Sequence, residues 1–88
     1  MPINNKSCFL CGTTEGLELH HIFNGPNRQL ADEDDLTVWL CHYHHNEPPS
    51  GVHYNRQLRD MFKALAQAKY EKSHTHKEFM ARYGKNYR

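Results

Sequence analysis

The sequence predicts a small α+β domain in which two short strands precede helices, and three observations support this fold class. The chain has 88 residues, which suits a single domain over 1–88 with only a modest apolar core. Two short stretches, at 17–23 and 36–41, are apolar and rich in residues that favour strands. After residue 54 the apolar residues recur every three or four positions, as on one face of a helix.

The first half of the chain alternates strands with loops. The strand at 17–23 is followed by a predicted loop over 23–28, because Gly25-Pro26 breaks regular structure. The polar residues 29–35 predict a short turn, and 36–41 is the second strand. Residues 42–46 then begin a short helix that ends in the Pro-rich segment 47–51.

The second half is predicted to be helical. A long helix runs from about Tyr54 to Lys72. It is expected to pack on the strands through its apolar face, formed by Leu58, Met61, Phe62, Leu65, Ala66 and Tyr70. Thr75 and Glu78 have the spacing of a capping box and predict a last short helix, closed by Gly84.

Composition points to a reducing compartment without a membrane anchor. The three cysteines are an odd number, whereas a secreted disulfide framework normally uses an even one. The N-terminal residues MPINNKSCF lack the basic and then apolar pattern of a signal peptide, and no apolar run approaches the roughly 20 residues of a membrane helix. We therefore expect a cytoplasmic protein.

Charge is divided unevenly between the two halves. The net charge is +1, but residues 1–50 sum to −5 and residues 51–88 to +6. Such asymmetry suggests that the basic half binds a polyanion, with nucleic acid as the usual partner. The alternative is that these charges only solvate exposed helix faces.

Four residues have the spacing of a metal site. Cys8-x2-Cys11 is followed after 29 residues by Cys41-x2-His44, and each pair fits on one turn. Zinc prefers four such sulfur and nitrogen ligands, and binding it would stabilise so small a domain. The sequence therefore predicts structural zinc. The alternative is that Cys41 is merely a buried strand-end residue and His44 binds nothing.

The chain resembles the HNH endonucleases, whose active unit is the ββα-metal fold. The resemblance is strongest to their small phage and prophage relatives. The matching residues are HHI at 20–22, LTVWLC at 36–41, CHYHHN at 41–46 and GVHYN at 51–55. The resemblance implies a zinc-stapled ββα core over 8–55, followed by C-terminal helices over 54–88. It also implies hydrolysis of phosphodiester bonds in DNA, as an endonuclease or nickase.

The resemblance implies separate roles for the neighbouring histidines. His20 takes the position of a metal ligand, and His21 that of the general base that activates water. His45 corresponds to the last metal ligand, and His53 is a further candidate whose place against His45 stays open. Consecutive strand residues point to opposite faces, which suits two different roles. The second metal would be a divalent ion such as Mg²⁺, Mn²⁺, Ni²⁺ or Zn²⁺, and imidazole ligands favour the transition metals.

One family residue is missing. An Asn usually precedes the second strand, but here that position reads Asp34-Asp35-Leu36. Asp35 could orient the imidazole of His21, which makes it a candidate catalytic residue. Asn27 is the other candidate to replace the missing amide.

The sequence leaves three functions open. The first is a metal-dependent DNA endonuclease, with DNA contacted by Arg28, Arg56, Arg59 and Lys63. The second is a non-catalytic zinc module that binds nucleic acid, which the missing Asn favours. The third is a phage accessory protein that binds a phage or host protein through the long helix. The oligomeric state is not indicated by the sequence.

Overall fold

The computed structural model describes residues 6–49 and 51–88 and has the predicted α+β composition. Its two strands form one antiparallel sheet, with Leu17 opposite Cys41 and His21 opposite Thr37. The strands are β1 (Leu17–His21) and β2 (Thr37–Cys41), and the helices are α1 (Arg28–Glu33), α2 (His42–Asn46), α3 (Arg56–Glu71) and α4 (His76–Tyr83). Two 3₁₀ turns, Gly25–Asn27 and Val52–Tyr54, precede α1 and α3. Among the described residues, no helix has the length and apolar character needed to cross a membrane.

Most of the segment 29–35 is helical, where the sequence predicted a turn, and only residues 34–35 are in a turn. Residues Arg28–Glu33 form α1, whose Ala31 is fully buried. Asp35 then turns the chain with a positive φ of 58°, and Leu36 donates its amide to the Ala31 carbonyl at 2.7 Å. Burial of this small apolar residue outweighs the polar composition that indicated a turn.

The long helix begins later than the sequence indicated. Asn55 accepts a hydrogen bond from the amide of Leu58 at 3.1 Å, which caps α3 and sets its first residue at Arg56. Its buried side is formed by Phe62, Ala66, Gln67 and Tyr70. The predicted apolar face of α3 was wider than its buried side. Two of the residues assigned to that face, Met61 and Leu65, are 39% and 40% exposed.

The last helix matches its prediction. Thr75 accepts from the amide of Glu78 at 3.1 Å, and the Thr75 amide donates to the Glu78 carboxylate at 2.8 Å, which completes the capping box. Gly84 ends α4 with a left-handed φ of 79°. The helix packs its fully buried Phe79 on Phe23, with ring centroids 6.2 Å apart, and so closes the core beside β1.

Candidate metal centres

Cys8, Cys11, Cys41 and His44 come together as the sequence predicted and could hold a metal ion. The Sγ atoms of Cys11 and Cys41 are 3.8 Å apart, and Nδ1 of His44 lies 3.2 Å from Cys41 Sγ and 3.7 Å from Cys8 Sγ. All four ligand atoms lie within 4.8 Å of one another. The two pairs, distant in sequence, therefore converge on one point.

Backbone hydrogen bonds position this cluster. Gly12 donates its amide to the Cys8 carbonyl at 2.8 Å and adopts a φ of 80°, which makes a tight turn between the first two thiols. The amide of Phe9 donates to the carbonyl of Trp39 at 2.9 Å, which fastens this turn to β2. Because Cys41 ends β2 and α2 starts at the next residue, His44 returns one helical turn later to the same side.

The environment of Cys8 favours its thiolate. Burial, the largest single influence, raises the pKa of this thiol. The backbone amides of Cys41, Cys11 and Leu10 act in the opposite direction, and together they lower the pKa of Cys8 to about 6. A thiolate is the form that binds metal.

A second cluster consists of three imidazoles, His20, His45 and His53, whose ligand atoms also lie within 4.8 Å of one another. Nε2 of His45 is 3.0 Å from Nε2 of His53, and the buried ring of His20 lies 5.3 Å and 5.4 Å from their two ring centroids. The sequence left open whether His45 or His53 completes this cluster. The structure places both in it.

His20 is held as a neutral imidazole. Burial, and then the charges that His45 and His53 would carry, lower the pKa of His20 to about 3. Burial also lowers the pKa of His53. Neutral imidazoles keep a free lone pair, so these side chains are suited to bind a cation.

Glu18 orients His45 and was not identified from the sequence. Its Oε1 lies 2.7 Å from Nδ1 of His45 and accepts from Nδ2 of Asn46 at 2.6 Å, while its Oε2 lies 2.9 Å from Nδ1 of His42. The contacts with His45 and His42, in that order, lower the pKa of Glu18. A proton on Nδ1 of His45 leaves Nε2 free to face His53. Strand alternation could have revealed this residue, since Glu18 is two positions from His20.

His53 is positioned at the cluster by a close contact between two backbone segments, at Gly51 and Glu47. The Gly51 amide donates to the Glu47 carbonyl at 2.6 Å, and a Cβ at Gly51 would lie 2.8 Å from backbone atoms of Glu47. Nη1 of Arg59 then donates to the carbonyls of Val52 and His53 at 3.1 and 3.0 Å. Arg59, expected to contact nucleic acid, thus also fixes the turn that carries His53.

His21 lies beside the imidazole cluster in the same cavity. This cavity has a volume of about 170 Å³ and is lined by Leu19, His20, His21, Asn24, Arg28, His45 and His53. Nε2 of His21 is 3.0 Å from Oδ1 of Asp32, and only 14% of the His21 side chain is exposed. The predicted base and the predicted phosphate contact, Arg28, therefore share one concave site with the three imidazoles.

The partner of His21 corrects the expectation for Asp35. Asp35 accepts from Nζ of Lys69 at 2.6 Å with its carbonyl and 3.4 Å with its carboxylate. Asn27, the other candidate, donates to the carbonyl of Tyr83 at 3.4 Å. The carboxylate that the structure places against His21 is Asp32, because α1 brings Asp32 back to β1 and leaves Asp35 in the turn beyond it.

The remaining predicted nucleic-acid contacts lie on α3, outside the residues that line this cavity. The side chain of Arg56 is 87% exposed, with its Nε 3.8 Å from a carboxylate oxygen of Asp60. Nζ of Lys63 lies 5.5 Å from the ring centroid of Tyr87. Their contact with nucleic acid stays a prediction.

Replacing Glu18 with alanine is expected to weaken divalent-metal binding at the imidazole cluster about 10- to 100-fold, because His45 loses the carboxylate that orients it. Titration of the purified protein with Ni²⁺ in a calorimeter measures this affinity. Glu15→Ala is the matched control, since Glu15 is an exposed carboxylate just before β1. Equal affinity in Glu18→Ala and the unsubstituted protein would contradict the orienting role.

The two clusters adjoin along the chain. Consecutive residues of α2, His44 and His45, contribute one ligand to each, and β1 and β2 supply His20 and Cys41. A short helix thus joins the two candidate metal sites.

No protein-family model, curated protein or solved structure matches this chain.

Proposed function

We propose that this protein is a metal-dependent endonuclease that hydrolyses phosphodiester bonds in DNA and introduces single-strand nicks. Its core would be a ββα-metal fold made by β1, β2 and the helix that follows them. One observation carries the proposal: His21, paired with Asp32, lines the same small cavity as the three clustered imidazoles and Arg28. A base, an orienting carboxylate, a candidate metal site and a cation that can bind phosphate are the parts this reaction requires.

We further propose that Cys8, Cys11, Cys41 and His44 hold structural zinc. Thiolates bound tetrahedrally at the usual Zn–S length of about 2.3 Å are about 3.8 Å apart. The separation of 3.8 Å between Cys11 and Cys41 agrees with this arrangement. Four sulfur and nitrogen ligands with no fifth position suit a closed structural site.

In the proposed reaction His21 is the general base. Its imidazole accepts a proton from water as the water oxygen forms a bond to phosphorus, and the bond from phosphorus to the 3′ oxygen breaks. Asp32 stabilises the imidazolium that results. Arg28 binds a non-bridging oxygen of the phosphate.

His20, His45 and His53 would hold a divalent metal in this cavity. When bound there, the metal would stabilise negative charge on the phosphate and on the leaving oxygen. Because all three ligands are imidazoles, Mn²⁺, Co²⁺, Ni²⁺ or Zn²⁺ should support activity better than Mg²⁺, which prefers oxygen ligands.

A second candidate function is a zinc module that binds nucleic acid without cutting it. It is favoured by the absence of the family's Asn, since Asn27 donates to the Tyr83 carbonyl and Asp35 stands in its place and contacts Lys69. The two functions differ in one outcome, which is whether bound DNA is cleaved.

The experiment that tests the proposal is a nicking assay on supercoiled plasmid, with Mg²⁺, Mn²⁺, Co²⁺ or Ni²⁺ added separately. Open-circular product that depends on the added metal supports the nuclease. DNA that is bound but never cut with any of these metals supports the second function instead. A mobility-shift assay on the same samples separates failure to bind from failure to cut.

Asp32→Asn is expected to lower the nicking rate about tenfold, which is less than the 10²–10⁴-fold effect typical of losing a general base. The amide still contacts His21 but no longer stabilises its positive charge. Asp35→Asn is the matched control, and asparagine readily adopts the left-handed conformation of Asp35. A large loss in Asp35→Asn with none in Asp32→Asn would restore the pairing expected from the sequence.

A further inference from the structure

The C-terminal residues 85–88 are fastened to α3 by a buried amide. Gln67 is fully buried, its Nε2 donates to Oδ1 of Asn86 at 2.8 Å, and its Oε1 accepts from the amide of Tyr87 at 2.7 Å. The ring of Tyr87 also packs on Phe23, with centroids 5.1 Å apart. A buried glutamine whose two polar atoms both contact this segment gives it a defined position.

This attachment places cations of the tail beside cations of α3. A cleft of about 270 Å³, here called the tail groove, is lined by Arg56, Asp60, Lys85, Asn86, Tyr87 and Arg88. Three of these side chains are cationic and one is acidic. Lys63 adds a fourth cation at its border, because its Nζ and that of Lys85 each lie 5.5 Å from the Tyr87 ring.

Partial neutralisation leaves most of this charge accessible. Nε of Arg56 is 3.8 Å from the Asp60 carboxylate, yet its side chain is 87% exposed. Nη1 of Arg88 contacts Glu71 at 3.0 Å, and 54% of its side chain is exposed. Exposed ion pairs of this kind are weak, so both guanidinium groups can exchange their partner for a phosphate.

The first turns of α3 carry residues that line the tail groove and residues that contact the candidate catalytic cavity. Arg59 donates to the carbonyl of His53, and the ring of Phe62 lies 6.1 Å from that of His20. Arg56 and Asp60, on the same turns, line the tail groove. The first turns of α3 therefore contribute residues to the surroundings of both sites.

We propose that the tail groove binds backbone phosphates of the DNA at a distance from the scissile bond. This inference rests on the proposed function and extends it to the C-terminal segment. Lys85 and Arg88 would contact phosphates on one side of the groove and Arg56 on the other. Such contacts are independent of base sequence, so the groove should contribute affinity without specificity.

The test compares two double variants that remove the same charge. Lys85→Gln/Arg88→Gln removes both cations of the tail, and Lys72→Gln/Lys77→Gln removes two exposed cations that do not line the groove. Fluorescence anisotropy with a labelled DNA duplex, without added divalent metal, gives the association constant over a range of salt concentrations.

The tail variant is expected to bind about 10- to 100-fold more weakly at 0.1 M salt, and the slope of log K against log salt should become shallower by about 2. The control variant should keep both the affinity and the slope of the unsubstituted protein. Gln67→Leu, which releases the segment without changing charge, should also weaken binding.

Other outcomes separate this inference from the proposed function. If both double variants bind DNA equally well, the tail groove is overturned, while plasmid nicking still decides the nuclease. If the unsubstituted protein does not bind DNA at low salt, both proposals are overturned.

Discussion

His21→Ala is expected to lower the plasmid-nicking rate about 10²–10⁴-fold, the range typical of losing a general base. The imidazole lies in the cavity beside the three clustered histidines, and its Nε2 is 3.0 Å from Oδ1 of Asp32. Alanine removes the proton acceptor and leaves His20, His45 and His53 in place. The change should therefore affect the rate of cutting and leave DNA binding nearly unaltered.

Three measurements make this result specific. Metal content should be the same in His21→Ala as in the unsubstituted protein, because His21 belongs to neither ligand cluster. The circular-dichroism spectrum should also be unchanged. His76→Ala serves as the matched variant, since His76 is exposed on α4 and contacts Glu71. Nicking at an undiminished rate in His21→Ala would exclude this residue as the base.

The thiol cluster could be predicted because its geometry depends on short-range rules. Two-residue spacing places each pair of Cys or His on one turn, and a simple antiparallel pairing brings Cys41 beside the first strand. His20 of β1 and His45 of α2 contact each other, with ring centroids 5.3 Å apart. The thiol cluster needs only the strands and the spacing, which are visible in the sequence, whereas the imidazole cluster was expected from the resemblance.

The contact of Asp32 with His21 could not be predicted, because it depends on a helix that the polar composition of 29–35 did not indicate. The expectation for Asp35 came from the resemblance, because Asp35 stands where the family has its Asn, just before the second strand. Burial of Ala31 makes this segment helical, and the helix carries Asp32 to His21 and leaves Asp35 in the turn that follows. The polar composition of 29–35, interpreted as a turn, gave no indication of the contact between Asp32 and His21.

Two residues whose side chains hold distant backbone segments could not be recognised from the sequence. Nothing in the pattern distinguishes Arg59 from the other cations of α3, yet its guanidinium holds the turn that carries His53. Gln67 is a polar residue within the predicted helix, yet its side chain is fully buried and anchors residues 85–88. Such roles depend on which loop folds back on a helix, and that requires the tertiary structure.

The largest effect on stability is expected from Cys8→Ala, which should leave the protein without the proposed structural zinc and largely unfolded. Cys8 is 2% exposed, and its sulfur lies 3.7 Å from His44. Structural zinc sites typically contribute on the order of 10 kcal/mol to folding. Small domains have a total stability of about 5–15 kcal/mol, so loss of the ion removes most or all of it.

Circular dichroism during heating, together with the zinc content of the purified variant, measures this effect. Thr14→Ala is the matched control, because Thr14 is an exposed residue that follows the same cysteine turn. Adding a strong chelator to the unsubstituted protein should reproduce the unfolding of Cys8→Ala. A variant that melts normally without bound metal would show that the thiol cluster does not stabilise the fold.

Losing the first ion should also affect the second site, and this separates Cys8→Ala from His21→Ala. His44 and His45 are neighbours in α2, so release of His44 frees the helix that positions His45. Cys8→Ala is therefore expected to lose Ni²⁺ binding at the imidazole cluster as well as zinc, whereas His21→Ala keeps both. If Cys8→Ala retained full Ni²⁺ affinity, α2 would have to be held by Glu18 and the strands without help from the thiol cluster.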